Sequence, residues 1–453
     1  MKDTFQRQTI SVLGAGYVGL TTAALLAHAG FKVYVIEPNK ERLSTIQKGK
    51  SFFYEAGLDI LISTALRSKN LIATDNYNDS VAHSSVVFSC VGTPDNPDGS
   101  SNLRYVYAAA EEAAKHMKPD TIYVQKSTVP VGTGKEIEEI FTRHNKAIDY
   151  VSNPEFLREA TAVYDTLYFD RVVAGSNNTE ATDHILDIYR ELEECRDDIA
   201  NLSGVSKSRR AGQYISTGLN SAELIKVTSN AFLALKISFA NSIAKLSDAV
   251  GADIVEVMDA VGADERIGRA FLNAGRGYGG GCFPKDVSGL ISSGLDYGVD
   301  LEIMHAAQFV NDTMPGYILE KLQNSFGGTI KGKNISVLGL SFKAGTSDTR
   351  RSPGITIANT LIDEGATVTA FDPVANEEAT HELVREVHVM PSLQDAIKNS
   401  DAIIITTEWA EFVQLHPDDY KRLSSAEIIV DAINRLDPSL VLASGLHYIG
   451  VGR

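Results

Sequence analysis

Residues 9–19 read Thr9-Ile10-Ser11-Val12-Leu13-Gly14-Ala15-Gly16-Tyr17-Val18-Gly19. The apolar and β-branched start of this stretch predicts a buried strand, Thr9–Leu13, and the apolar run Val18–Ala29 predicts a helix. A second strand, Lys32–Ile36, then ends at Glu37. A glycine-rich turn between a strand and a helix, with an acid at the end of the next strand, is typical of dinucleotide-binding units.

Each residue of this turn has an expected role. Gly14 makes the turn, Gly16 admits a pyrophosphate, and Gly19 allows the helix to pack closely. The helix N-terminus at Tyr17 and Val18 is expected to face the phosphates.

The acid selects the cofactor. Glu37 is expected to accept hydrogen bonds from the adenosine ribose hydroxyls and to repel a 2′-phosphate, so that NAD is favoured over NADP. Arg42 lies nearby in sequence; it is a further candidate cofactor contact and the one feature that favours NADP.

Two later strand ends carry hydroxyl groups, at Val91-Gly92-Thr93-Pro94 and at Ser127-Thr128-Val129-Pro130-Val131-Gly132. Ligands of open α/β sheets bind outside the carboxyl ends of the strands. Thr93 is therefore a predicted cofactor contact, and the Thr128 hydroxyl is expected to hold a water or the nicotinamide ribose. The alternative interpretation of both turns is an ordinary loop with no role in ligand binding.

The N-terminal sequence pattern is repeated later in the chain. Ile10–Gly14 recurs as Ile335–Gly339, and Val33–Pro38 is loosely matched by Val368–Pro373. Repeats in the same order suggest two related domains. We predict an α/β protein with two Rossmann-like doubly wound domains joined by a long central helix.

The central helix is expected at Leu219–Val250, which contains neither Gly nor Pro, with a capping box at Asn220–Glu223. The polar segment 196–217 is interpreted as a linker loop. The predicted domains are residues 1–205 for the cofactor, 206–325 as a helical, dimerisation and cysteine-loop domain, and 326–453 for a second nucleotide-containing ligand.

Bulk properties exclude several classes of function. The chain has 453 residues, a formal net charge of −16 and three cysteines, and it has no apolar run of membrane-spanning length. The negative charge argues against nucleic-acid and anionic-membrane partners. Three cysteines in so long a chain do not form a disulfide framework, which fits a reducing, cytoplasmic compartment. No metal site is predicted.

Cys282 is the most informative single residue. It follows a loop with five glycines in seven residues, Gly275–Gly281. Glycines admit a ligand close to the backbone, and a thiol there is a candidate nucleophile whose pKa Lys285 and Arg276 would lower. A small buried cysteine in a tight loop is the alternative.

Two further segments carry candidate acid–base groups. Asn153-Pro154 is interpreted as a helix N-cap followed by Pro at the first helical position, which would place Glu155 and Glu159 on one helix face. On the long helix, Lys226 and Asn230 lie one turn apart, where the lysine could stabilise a developing alkoxide. A snorkelling lysine is the alternative.

Together these segments resemble the nucleotide-sugar 6-dehydrogenases, and among them the branch that acts on UDP-glucose. The resemblance rests on the glycine turn, the two hydroxyl-bearing turns and five later segments: 153–159, 221–234, 266–268, 275–286 and 339–353. It implies oxidation of a UDP-glucose C6 alcohol to the carboxylate with two NAD per sugar. GDP-mannose or a UDP-N-acetylhexosamine remains the alternative substrate.

The resemblance also implies residue roles. Lys226, Asn230 and a water near Thr128 and Asp286 would stabilise or deprotonate the C6 oxygen. Cys282 would form a thiohemiacetal and then a thioester, which water directed by Glu159 or Glu155 would hydrolyse.

The ligand contacts implied by the resemblance are spread over the chain. Glu159 and Arg350 would contact the cofactor, and Arg266 would reach the site of a neighbouring subunit, which implies a homodimer or a higher homo-oligomer. The UDP-sugar contacts would be Glu155, Phe156, Leu157, Lys226, Asn230, Arg266, Phe271, Leu272, Asn273, Ala274, Gly275, Gly279 and Lys343.

Overall fold

The computed structural model of the chain describes residues 8–144 and 146–453. The chain forms two compact units, one running to Thr228 and the other from Ser229 to Arg453. The division falls within one 32-residue helix, Leu219–Val250. The finer three-domain partition made from the sequence stays a prediction.

The first unit contains one eight-stranded sheet. Its strands are β1 Thr9–Leu13, β2 Lys32–Ile36, β3 Leu71–Thr74, β4 Val86–Ser89, β5 Ile122–Gln125, β6 Asp149–Ser152, β7 Arg171–Gly175 and β8 Gln213–Thr217. The spatial order is β3-β2-β1-β4-β5-β6-β7-β8, and every pair is parallel except β6 with β7.

Helices cover both faces of this sheet. They are α1 Tyr17–His28, α2 Lys40–Gln47, α3 Leu58–Arg67, α4 Arg104–His116, α5 Thr133–Arg143, α6 Ala162–Leu167 and α7 Thr179–Ser203, followed by α8 Leu219–Val250. Alternate residues of a strand face opposite sides of the sheet. Accordingly, Val86 and Phe88 of β4 pack in a core with α1, α3 and α7, whereas Val87 packs in a second core with α4 and α5.

The second unit repeats the arrangement with six parallel strands: β9 Asn334–Leu338, β10 Thr367–Phe371, β11 His388–Val389, β12 Ala402–Ile405, β13 Ile428–Asp431 and β14 His447–Gly450. Their order is β11-β10-β9-β12-β13-β14. The helices that follow α8 are α9 Ile254–Gly262, α10 Phe283–Asp296, α11 Glu302–Ser325, α12 Pro353–Asp363, α13 Asn376–Ala379, α14 Leu393–Ile397, α15 Ala410–Val413, α16 Pro417–Leu423 and α17 Pro438–Ala443. The predicted fold class, with two Rossmann-like domains and a long helix between them, is confirmed.

Two local predictions are wrong. Segment 196–217 is not a linker loop, because α7 continues to Ser203 and β8 adds to β7 as the last strand of the sheet. The capping box at Asn220–Glu223 does not form either. Helix α8 begins at Leu219, with the backbone N–H of Ala222 bonded to the Gly218 carbonyl, and the Glu223 carboxylate lies elsewhere.

Candidate functional site

The glycine turn after β1 combines one tight backbone contact with one open position. Gly14 has φ +87°, and a Cβ at Gly19 would lie 1.9 Å from the Gly14 carbonyl oxygen. At Gly16, by contrast, a Cβ would meet no heavy atom of the described residues within 4 Å. Helix α1 therefore starts directly against the strand end, and the backbone at Gly16 is open to a ligand.

Glu37 is held against this turn. Its side chain is buried and accepts hydrogen bonds from the backbone N–H of Ala15 at 3.3 Å and of Asn39 at 3.0 Å. Arg42, on α2, places its guanidinium 4.8 Å from the centre of the Phe52 ring. An open glycine at a helix N-terminus beside a fixed carboxylate suits a diphosphate and an adjoining ribose diol, so these residues fit NAD.

The neighbouring strand ends lie next to this turn. The Ser127 hydroxyl donates to the Val91 carbonyl at 2.6 Å, which ties the loop after β5 to the loop after β4. Thr93 and Thr128 are half-buried. Cys90, at the end of β4, is buried, and burial raises the pKa of its thiol to about 12, as expected for a core cysteine rather than a nucleophile.

Segment 153–158 is a loop, so the predicted helix with Glu155 and Glu159 on one face is wrong. Instead of capping a helix, Asn153 is fully buried: its amide oxygen accepts from Lys126 Nζ at 3.3 Å and from the Tyr189 hydroxyl at 2.6 Å. Because this network engages the Asn153 side chain, it cannot cap, and the chain runs on irregularly to a turn at Glu159.

Glu155 and Lys226 form a buried ion pair in the first unit. Their charged atoms are 3.1 Å apart, with side-chain exposures of 10% and 5%. The second carboxylate oxygen of Glu155 accepts the backbone N–H of Leu157 at 2.8 Å, and Lys226 Nζ lies 5.3 Å from the centre of the Phe156 ring. A lysine that pairs with a carboxylate in so dry a place is a candidate to stabilise an oxyanion.

A second cluster lies in the second unit around Cys282. Cys282 is exposed at the N-cap of α10, where a helix N-terminus favours a thiolate. One turn along, the buried carboxylate of Asp286 accepts from the Asn230 amide at 2.6 Å and from Lys285 Nζ at 2.6 Å. The exposed position is not the buried core cysteine of the alternative interpretation.

Segment 339–353 supports the cysteine loop. A Cβ at Gly281 would lie 2.5 Å from the Arg350 guanidinium carbon, and one at Gly279 would lie 2.3 Å from the Arg351 carbonyl oxygen. Arg276 is buried and donates to the carbonyls of Thr406 and Phe342. Arg276 therefore anchors the loop, and its predicted effect on the pKa of Cys282 stays a prediction.

The remaining predicted ligand contacts differ in how exposed they are. Arg266 is exposed and paired with Asp264, and the Asn273 side chain accepts from Arg269 at 2.8 Å. Leu272 and Ala274 are buried in the core of the second unit, so only their backbone can meet a ligand.

Three other members of that set lie in the loop before Cys282 or in segment 339–353. Phe271 adopts φ +67°, and a Cβ at Gly275 would lie 2.6 Å from the Ala432 carbonyl oxygen. Lys343 Nζ lies 5.5 Å from the centre of the Phe342 ring.

The second unit keeps an acid at the end of its second strand, but that acid is fully engaged. One oxygen of buried Asp372 accepts from the backbone N–H groups of Leu340 and Ser341, the Ser341 hydroxyl and the Trp409 indole. Its other oxygen accepts from Val374 N and Ala375 N. With these bonds in place, Asp372 is not available to a ribose, unlike its counterpart in the first unit.

Two functional candidates were missed from the sequence. One is Lys126, which is buried directly before the Ser127 turn. Its position at the end of a predicted strand could have identified it. Glu223 was assigned to a helix cap. In the described part of the chain, no group of three or more His, Cys, Asp or Glu residues is placed to hold a metal ion, and no helix is both long and apolar enough to cross a membrane.

Most of the chain matches a family of known proteins. Residues 8–193, 220–313 and 336–438 match the NAD binding domain, the central domain and the UDP binding domain of the UDP-glucose/GDP-mannose dehydrogenase family. UDP-glucose 6-dehydrogenase YwqF of Bacillus subtilis is 38% identical over 447 residues, 98% of this chain and 97% of that protein.

Solved structures agree. A UDP-glucose dehydrogenase from Pyrobaculum islandicum is 33% identical with a TM-score of 0.89, over 100% of this chain and 99% of that chain. A UDP-D-ManNAc dehydrogenase from Pyrococcus horikoshii is 25% identical with a TM-score of 0.85, over 98% and 99%. The predicted family resemblance and the prediction of NAD as cofactor are confirmed.

The two helix glycines of the first turn separate binding from packing. Gly16→Ala fills open space, so we expect the free energy of unfolding to stay unchanged while NAD binds about tenfold or more weakly. Gly19→Ala forces a Cβ into the Gly14 carbonyl, so both the melting temperature and NAD affinity should fall. Calorimetric titration and thermal unfolding measure these effects; wild-type NAD affinity in Gly16→Ala would contradict the assignment.

Proposed function

The chain belongs to the UDP-glucose/GDP-mannose dehydrogenase family, and from that premise we propose that it oxidises the C6 alcohol of UDP-glucose to the carboxylate with NAD. The observation that carries the proposal is Cys282 at the N-terminus of α10, one turn before an Asp286 that is bonded to Asn230. A dehydrogenase that stops at the aldehyde needs no such thiol.

The first oxidation needs a stabilised oxyanion. As the C6 hydroxyl loses its proton to water, the ammonium of Lys226 and the amide of Asn230 stabilise the charge that develops on the oxygen. Asp286 orients the water, and the Thr128 hydroxyl is a second group for that task. NAD, when bound, accepts one hydride in each of the two oxidations, which makes two NAD per sugar.

The second oxidation needs covalent capture. The Cys282 thiolate adds to the aldehyde carbon, and protonation of the oxygen gives a thiohemiacetal. Loss of the C6 hydride and of the hydroxyl proton leaves a thioester. Water, directed by Glu159 or Glu155, adds to the carbonyl and releases the carboxylate and the free thiol.

The ligand contacts follow the same division of labour. We propose Lys343 for the substrate diphosphate, Arg350 for the cofactor, and the backbone of Phe271–Gly275 with Gly279 for the uridine and sugar. Phe156 and Leu157 contact the Glu155–Lys226 pair, which supports our proposal that both lie near the sugar C6. A reducing, cytoplasmic setting is proposed from the low cysteine count.

A UDP-N-acetylhexosamine is the second candidate substrate, favoured by the likeness to the Pyrococcus horikoshii dehydrogenase. GDP-mannose is the third, because the family model includes it by name. The higher identity to UDP-glucose 6-dehydrogenases favours UDP-glucose.

A panel of nucleotide sugars tests the substrate. With NAD in excess, we expect UDP-glucose to yield two NADH per sugar consumed, and GDP-mannose and UDP-N-acetylmannosamine to react on the order of a hundredfold more slowly or not at all. Absorbance and product mass measure both quantities. Oxidation of GDP-mannose without oxidation of UDP-glucose would overturn the proposal.

Replacing the nucleophile tests the covalent step. Cys282→Ser should keep NAD and UDP-glucose affinity but lose turnover to the carboxylate by on the order of a thousandfold or more, because a serine hydroxyl is a far weaker nucleophile. Cys195→Ser, a half-buried position on α7, is the matched control and should behave as wild type. Full carboxylate production by Cys282→Ser would remove Cys282 from the mechanism.

We also propose that the protein is a homodimer or a larger homo-oligomer. Three large apolar side chains on α8 are exposed at seven-residue intervals: Phe232, Phe239 and Leu246, at 58%, 49% and 57%. Residues at this interval form one stripe, and an exposed apolar stripe on a long helix suits pairing with the same stripe of a second copy.

A charge in the middle of the stripe tests this pairing. We expect Phe239→Glu to reduce the molar mass in solution to that of one chain, because a buried unpaired carboxylate is costly. Leu440→Glu, at an equally exposed apolar residue of α17, is the control and should keep the wild-type mass. Light scattering after size exclusion measures the mass; a monomeric wild type would contradict the proposal.

A further inference from the structure

Glu223 is a buried carboxylate on α8 with an unusual set of partners. Its side chain is 2% exposed, and its two oxygens accept the backbone N–H groups of Gly132 at 2.8 Å and Gly134 at 2.9 Å. Both amides belong to the start of α5. The carboxylate therefore binds the N-terminus of a helix that follows a strand end of the first sheet.

The loop that Glu223 holds is the one with Thr128. This loop, residues 127–132, is tied at its beginning by the Ser127 hydroxyl to the Val91 carbonyl. At its end Gly132 has φ +97°, and a Cβ at Gly134 would lie 2.6 Å from the Tyr150 ring. At this second end Glu223 bonds the Gly132 and Gly134 amides, while the Thr133 hydroxyl bonds the Pro130 carbonyl within the loop. Glu223 is the side chain that ties this end to α8.

The same helix also presents Lys226. Residues three apart lie on adjacent parts of one helix face, and Lys226 pairs with Glu155 at 3.1 Å. Close by, Ala222 packs so tightly against Gly175 that a Cβ there would lie 2.5 Å from the Ala222 Cβ. The first turns of α8 are thus held in the first unit by packing, by an ion pair and by the two bonds from Gly132 and Gly134 to Glu223, which we call the Glu223 clamp.

We propose that Glu223 is a positioning residue whose ionised carboxylate fixes the Thr128 loop relative to Lys226, and whose protonation releases one end of that loop. A carboxylate accepts both amides at once, whereas the protonated acid carries a hydrogen on one oxygen and satisfies only one of them well. The catalytic consequence rests on the proposed function; the structural consequence does not.

The surroundings set the pH range. Burial, with Glu136 and Glu138 of α5 adding repulsion, raises the pKa of Glu223 to about 7, against the lowering effect of the two amides. Tyr107 of α4 and Tyr150 of β6 also face it, and burial and its charge raise their pKa values further, so both stay neutral. The ionised, fully bonded carboxylate therefore becomes the main form as the pH rises through about 7.

The stability sign is opposite to the ordering sign. Because the folded pKa lies above the usual value of 4.5, the contribution of Glu223 to stability is present below that value and is lost as the pH rises through about 7. Burying the ionised carboxylate therefore costs free energy of folding, as expected of a group that serves positioning rather than stability.

Hydrogen exchange on the full chain tests the clamp without any substrate. After correction for intrinsic exchange, the amides of Gly132 and Gly134 should exchange about tenfold faster at pH 6 than at pH 8 in the wild type. In Glu223→Gln at least one of the two amides should exchange fast at both values, since the side-chain oxygen can accept one N–H but the NH2 group can accept none. Glu139→Gln, the same change at an exposed residue of α5, should follow the wild type.

Wild-type exchange that does not depend on pH, or slow exchange in Glu223→Gln, overturns the inference. If Glu223→Gln does not fold, the wild-type pH series decides alone.

Kinetics then tests the catalytic consequence. Glu223→Gln should lower kcat about tenfold, leave KM for NAD nearly unchanged because the Gly14–Gly19 turn is intact, and abolish the rise in kcat through pH 7. A higher KM for NAD together with an unchanged pH profile of kcat would mean that Glu223 only supports folding, and would overturn the catalytic consequence. A wild type that produces no NADH from any nucleotide sugar refutes the proposed function, while the exchange series still decides on the clamp.

Discussion

In both units, the helix that follows the first strand comes so close to the end of that strand that a side chain between them is excluded. A Cβ at Gly19 would lie 1.9 Å from the Gly14 carbonyl oxygen, and one at Gly354 would lie 2.3 Å from the Gly339 carbonyl oxygen. This close approach of helix and strand fixes where each helix begins, and everything at the carboxyl edge of each sheet is built around it. The repeat seen in the sequence is thus a repeat of one packing contact.

The two copies differ in what lies between the paired glycines. In the first unit they are five residues apart, and in the second they are fifteen apart; the distance from strand-end glycine to acid grows by the same ten residues, from 23 to 33. The longer connection contains Phe342, Lys343 and Arg350, which pack on the loop of Cys282 or lie beside it. Asp372 meanwhile folds its carboxylate onto the new backbone. The insertion turns a dinucleotide-type turn into a support for the loop that leads to Cys282.

The periodic elements were predictable from the sequence, and the irregular site loops were not. β1, β2 and α8 have the predicted bounds because apolar periodicity and the lack of Gly and Pro leave few alternatives. Segment 153–159 reads as a helix start only if Asn153 is assumed to cap it. Its amide is instead drawn into a buried network with Lys126, which lies 27 positions away in sequence. The prediction that Glu223 caps α8 fails for the same reason, since its carboxylate accepts the backbone N–H groups of Gly132 and Gly134 instead. Long-range partners for polar side chains leave no local pattern.

Those long-range bonds share one purpose. The candidate site loops of the first unit are irregular, so no strand pairing holds their backbone. Polar side chains tie them to other elements instead: Glu37 to Ala15, Ser127 to Val91, Asn153 to Val173 and Glu223 to Gly132. Buried bonds of this kind are strong in a low dielectric and costly to break. Under the proposed function, such bonds would give the loops the rigidity that electrostatic stabilisation of an oxyanion requires, because dipoles that must reorient during the reaction lose much of their benefit. Burial raises the pKa of the Glu223 carboxyl to about 7, so the clamp proposed for the Thr128 loop responds to pH near neutrality.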